Sequence, residues 1–202
     1  MAIHWSSNRA DRSTTWWIGT LFAIGSTCFL VGPFPGFVDL VGAEADAAVF
    51  FVGSLFFTSA AFLQFRQSTG GDRPATAIQL VGTVYFNVST FRSLLDAIDD
   101  SAVDRLIWRP DAIGSLLFLI SGVLAYASVR HERDQERREW RIAAINLLGC
   151  VFFGISAIAS YVLPDTGDVL DLAAANWATG LGALCFLVGS LTLLPRRRGP
   201  AS

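Results

Sequence analysis

Six apolar runs, 16–37, 47–65, 75–95, 112–129, 142–163 and 173–194, occupy most of this 202-residue chain. Each approaches or reaches the roughly 20 residues that a helix needs to cross a hydrocarbon core. Such runs leave few choices of fold. In lipid every backbone N–H and C=O must be satisfied inside the protein, and helices do this within each run. A soluble fold would need long amphipathic helices to cover the runs, and the chain offers none. Only 16% of the residues are charged, against about a quarter in soluble domains, which points the same way. The expectation is an all-α, polytopic transmembrane bundle of six helices, with residues 1–202 forming a single domain. A cleaved leader is the alternative for the first run, because Arg9 and Arg12 precede it and Ala43-Glu44-Ala45 follows it. Its apolar stretch is longer than a leader's, so it is expected to be retained.

Charge placement sets the expected orientation. All 15 basic residues are arginine, a bias expected of a prokaryotic, GC-rich coding sequence. A cytoplasmic N-terminus puts Arg9, Arg12, Arg66, Arg73, Arg130, Arg133, Arg137, Arg138, Arg141, Arg196, Arg197 and Arg198 inside, and only Arg92, Arg105 and Arg109 outside. Positive residues favour the cytoplasmic side, so both ends are expected there, in a prokaryotic cytoplasmic membrane. The outer connections carry acids instead, among them Asp39, Glu44, Asp96, Asp104, Asp165 and Asp168.

One motif recurs in every run. Gly25, Gly53, Gly82, Gly114, Gly149 and Gly182 each stand four residues before Phe29, Phe57, Phe86, Phe118, Phe153 and Phe186. The residue after each glycine is small, and so is the one seven on, from Gly32 and Ala60 to Ser156 and Gly189. These offsets share one helix face, so each run presents a notch, an aromatic knob and a second notch in line. Lipid supplies little hydrophobic force between helices, and close approach at small residues is what holds a bundle together. The segments 25–32 (GSTCFLVG) and 182–189 (GALCFLVG) match closely, as do 78–90 and 145–157, which implies internal repeats. The glycine spacing is shorter early than late and hints at two halves, but three hairpins fit it as well.

Paired apolar helices with a glycine-small-x-x-phenylalanine core resemble the YrhK-like family of small bacterial membrane proteins. Members are typically short two-helix proteins, so the resemblance covers this chain as tandem copies. It implies a membrane location and no established reaction.

Polar groups within the runs are the candidates for function, since lipid makes them costly. Three residues before the glycine stand Gln79, Asp111, Asn146 and Thr179, where the first two runs have Phe22 and Phe50. Asn87 and Arg92 extend a polar track along the third run, with Asp96 one turn beyond. Hydrogen bonds between helices, and pairing of Arg92 with Asp96, account for these without a ligand. Asp111, following Pro110, reads as a helix-start residue. Asp46 and Asp171 stand at equivalent starts.

Cys28, Cys150 and Cys185 fall within apolar runs and act as small hydrophobes. His4 and His131 lie outside the runs, which leaves no intramembrane histidine to hold a metal or haem. No cofactor is expected. The segment 130–141 (RHERDQERREWR) mixes both signs, reads as a helical extension able to meet anionic headgroups, and does not suit nucleic acid. No phosphate loop, nucleophile elbow or dinucleotide fingerprint occurs. The chain is therefore expected to be no enzyme, with the lipid bilayer and a second copy or another membrane protein as partners. The alternative is a carrier or channel for a small solute, lined by Gln79, Asn87, Arg92, Asp111 and Asn146.

Overall fold

The computed structural model describes residues 9–34, 36–99, 104–129 and 137–194. The described residues form α1 (Arg9–Val31), a short α2 (Phe37–Val41), α3 (Ala43–Gln67), α4 (Arg73–Asp99), α5 (Asp104–Val129), α6 (Arg137–Ala159) and α7 (Leu172–Leu193). Five of the helices contain a stretch long and apolar enough to cross a bilayer: α1, α3, α5, α6 and α7. The protein is thus all-helical and suited to a multi-pass membrane location. Between α6 and α7 lies an isolated antiparallel bridge, Val162 to Val169.

Helix ends follow local chemistry. Pro33 lies just beyond the last residue of α1, and Gly36 (φ 86°) and Gly42 (φ 85°) supply the left-handed turns that flank α2. The first run therefore ends as a helix at Val31 rather than continuing to 37, and α2 is an addition that periodicity did not reveal. Glu44 and Asp46 occupy the first turn of α3 and Arg66 its last, the arrangement that the helix dipole favours. Asp171 caps α7 by accepting from Ala174 N at 2.9 Å. Likewise α6 stops at Ala159, short of the expected 163.

The start of α5 corrects one expectation. Helix begins at Asp104, so Pro110 is inside α5 and Asp111 is not a helix-start residue. A proline there cannot donate to the carbonyl four residues back. Ser89 of α4 donates to the Ile107 carbonyl at 2.9 Å in the same turn, an outside donor to backbone that the proline disturbs.

The long helices pack in ring order, α1 against α3, then α4, α5, α6, α7 and back to α1. Around the ring one profile recurs. In each long helix the glycine, the next residue, the motif phenylalanine and the small residue at +7 are buried, while the positions at −1, +2, +6 and +9 are exposed. Apart from Thr27 and Ser59, those outward positions are apolar, as with Val81, Val84, Val88 and Phe91 on α4 and Leu181, Leu184, Val188 and Leu191 on α7. An apolar outside around a core of small and aromatic residues is the inverse of a soluble bundle and suits lipid.

Candidate functional site

Each consecutive pair of long helices joins through its own glycines and phenylalanines, reciprocally. A Cβ on Gly25 would lie 2.7 Å from the Phe57 ring, and one on Gly53 would lie 3.1 Å from the Phe29 ring. The same exchange links Gly82 with Phe118 (2.8 Å) and Gly114 with Phe86 (3.3 Å). It recurs between Gly149 and Phe186 (3.1 Å) and between Gly182 and Phe153 (3.0 Å). A Cβ at any of these glycines would press on a ring or on the facing backbone, because the helices touch at these points. The pairs α1 with α3, α4 with α5 and α6 with α7 are therefore antiparallel hairpins with the same register.

The rings themselves meet at the centre. Phe29, Phe86 and Phe153, from the first helix of each hairpin, form one triangle with centroids 5.8–6.4 Å apart. Phe57, Phe118 and Phe186, from the second helices, form another with separations of 5.8–6.5 Å. Contacts of 4.9 Å (Phe86 with Phe118), 5.5 Å (Phe29 with Phe57) and 5.7 Å (Phe153 with Phe186) tie the two triangles together. These separations lie in the range where tilted and edge-to-face rings attract. The hub closes the axis of the bundle: every one of the six rings is at most 6% exposed.

Above and below the hub, in four of the six helices the residue three before the glycine meets the small residue seven after the glycine of the hairpin partner. Phe50 fills the notch at Gly32, where an added Cβ would come within 2.5 Å of the ring. Asn146 presses into the notch at Gly189. Thr179 and Ser156 share a hydrogen bond of 2.7 Å. Gln79 and Ser121 line one small cavity of about 20 Å³ together with Asn146, with Phe118 and Phe186 in its wall. That space holds nothing larger than a water molecule. Hydroxyls at +7 also reach across the hairpin to backbone: Ser121 donates to Ala75 O at 2.8 Å and Ser156 to Ala175 O at 3.0 Å.

The expected polar track along α4 is not brought together. Gln79 faces the cavity shared with α5 and α6, whereas Asn87 accepts from Thr58 of α3 at 3.2 Å. Eight residues of helix, about 12 Å, separate the two. Arg92 is half-buried a further turn along, and Asp111 is half-buried on α5. Asn87 thus acts between hairpins, beside the 2.9 Å bond of Ser54 to Thr90. The segment 130–136 lies outside the described residues, and Arg138 to Arg141 continue into α6.

Several structural residues carried no sequence signal that singled them out. Gln64 of α3 is 3% exposed, and neither of its amide atoms has a hydrogen-bond partner, as is also true of Oδ1 of Asn146, a residue that the sequence did mark. Trp108 donates its indole N–H to Ala157 O at 2.7 Å and stacks edge-on against Tyr161 at 4.9 Å, tying α5 to the end of α6. Gly19 and Gly122 supply notches between hairpins, against Ser190 O at 3.1 Å and Cys150 Sγ at 3.0 Å. Helical spacing from the motif glycines could have marked these last two.

Compared with known proteins, the chain matches no family model, no curated protein and no solved structure.

Proposed function

We propose that this protein is a six-span membrane bundle of three repeated hairpins that acts without catalysis, as an assembly unit or a support for a partner in the membrane. The observation that carries this is the hub: six rings in six glycine notches spend the bundle's central axis on packing. The sixth span is α4, which falls below the apolarity of the other five because of Gln79, Asn87 and Arg92. Its place in the ring between α3 and α5, and its outward Val81, Val84 and Val88, support a crossing. An even number of spans agrees with arginines gathered at one face and with both ends in the cytoplasm. Reciprocal contacts inside each consecutive pair favour three hairpins over two inverted halves, and fit tandem copies of a YrhK-like hairpin.

The carrier alternative needs a path past the hub. Of its candidates Gln79, Asn87, Arg92, Asp111 and Asn146, Gln79 and Asn146 share one cavity of about 20 Å³ while Asn87 bonds to Thr58 of α3, and the rings stand across the axis, which weighs against it. Proteoliposomes holding the native protein, Asn87→Leu or Gln79→Leu are expected to be equally impermeable across a panel of ions and small osmolytes. A flux in the native protein that either substitution abolishes would replace assembly with transport.

A further inference from the structure

Beyond the packing role, the third hairpin carries a lateral groove of about 590 Å³ between α6 and α7, at the end where α6 begins. Arg138 and Arg141, in the first turns of α6, line it at that end, together with Ile142, Ile145, Val188 and Leu191. Arg138 also donates to the Thr192 carbonyl, which fixes that guanidinium beside the groove. Glu139, between the two arginines in sequence, is 5% exposed and so turned inward.

Counting from the motif glycines, the positions of Arg138 and Arg141 are held by Thr14 and Trp17 in the first hairpin and by Gly71 and Pro74 in the second. Only the third hairpin puts cations there. A planar guanidinium matches a phosphate oxygen pair, and an apolar wall one turn along matches the start of an acyl chain. Charge above and hydrocarbon below, at the end of two apolar helices, is the chemistry of one membrane component. Trp140, 44% exposed and between the two arginines in sequence, is the residue type that settles at the headgroup level.

We infer that the α6/α7 groove binds an anionic phospholipid, its phosphate held by Arg138 and Arg141 and an acyl chain laid along Ile145, Val188 and Leu191. The test uses the full chain purified in a mild neutral detergent and titrated with phosphatidylglycerol, phosphatidylcholine or inorganic phosphate. Lipid retained in native mass spectrometry and the midpoint of thermal unfolding are the readouts. Phosphatidylglycerol should bind and raise the midpoint, phosphatidylcholine should bind more weakly, and inorganic phosphate should do neither. Arg141→Gln should weaken phosphatidylglycerol binding about fivefold, the worth of one arginine near an anionic surface. Arg66→Gln, an equal loss of charge on exposed α3 surface outside the groove, should leave binding unchanged. Arg141→Gln, which leaves the Arg138 contact with Thr192 in place, keeps the test valid if Arg138→Gln fails to fold. The site is overturned if Arg66→Gln weakens binding as much, if Arg141→Gln has no effect, or if phosphatidylcholine binds equally. Inorganic phosphate alone reproducing the shift would also overturn it, by showing a free-anion site.

Discussion

The first hairpin, α1 with α3, and the third, α6 with α7, meet through the same glycines and rings yet differ one turn away from them. In the first, the flanking positions are Phe22 and Phe50, and both add edge-on ring contacts, 5.6 Å from Phe57 and 5.3 Å from Phe29. In the third, the same positions are Asn146 and Thr179, one unpartnered at its carbonyl oxygen and one bonded to Ser156. The hub is therefore a constant, set by two residue types at fixed spacing, while the layer beside it tolerates either rings or amides and hydroxyls. Chemistry can vary there without altering how the helices meet. The third hairpin also carries the charged groove, so it differs from the first twice.

This contrast can be tested where the effect should be largest, at the hub. Gly149→Leu would drive a side chain into Phe186, Cys185 and the Gly182 carbonyl, all 3.1 Å from the added Cβ. A loss of about 3 kcal/mol, the upper range for overpacking, is expected from reversible unfolding in detergent. Gly154→Leu on the same helix, where an added Cβ meets nothing within 4 Å, should cost almost nothing. Equal costs for the two would remove the distinction between notch and surface.

A smaller effect of opposite sign is expected in the flanking layer. Asn146→Leu removes a buried acceptor that has no partner and approaches the apolar solution of the first hairpin, so stability should rise by about 1 kcal/mol. A fall in the unfolding midpoint would mean that the amide is held by contacts the comparison overlooks. Comparable in size, Ser156→Ala deletes the bonds to Thr179 and to the Ala175 carbonyl. Hydrogen bonds between helices in lipid average about 0.6 kcal/mol each, so a loss of about 1 kcal/mol is expected for the two. A loss several times larger would make hydroxyls, not rings, the dominant link in this hairpin.

Long helices and their inward face were legible in the sequence because an apolar run satisfies its own backbone best as a helix, and small residues mark where helices can approach closely. The Gly-to-Phe spacing carried the inward face in all six cases, from Gly25 with Phe29 to Gly182 with Phe186. Helix ends were less legible. Pro110 resembled a start signal but sits inside α5, which begins at Asp104, with Ser89 of α4 donating to the Ile107 carbonyl in the turn before it. The polar residues were found as a set but misjudged as a track, since Gln79 and Asn87 face different neighbours.

The amino-acid sequence by itself thus determined that this chain is helical, that its outside is apolar, and which two residues of each helix face inward, since spacing along one helix decides those matters. Only the tertiary structure decided that each ring enters the glycine notch of its own hairpin partner, that six rings close one hub, and that Arg138 and Arg141 share a groove with Val188 and Leu191. Those facts depend on how separate helices are turned toward one another. That rotation is fixed by many weak contacts made at once, so no single stretch of sequence encodes it.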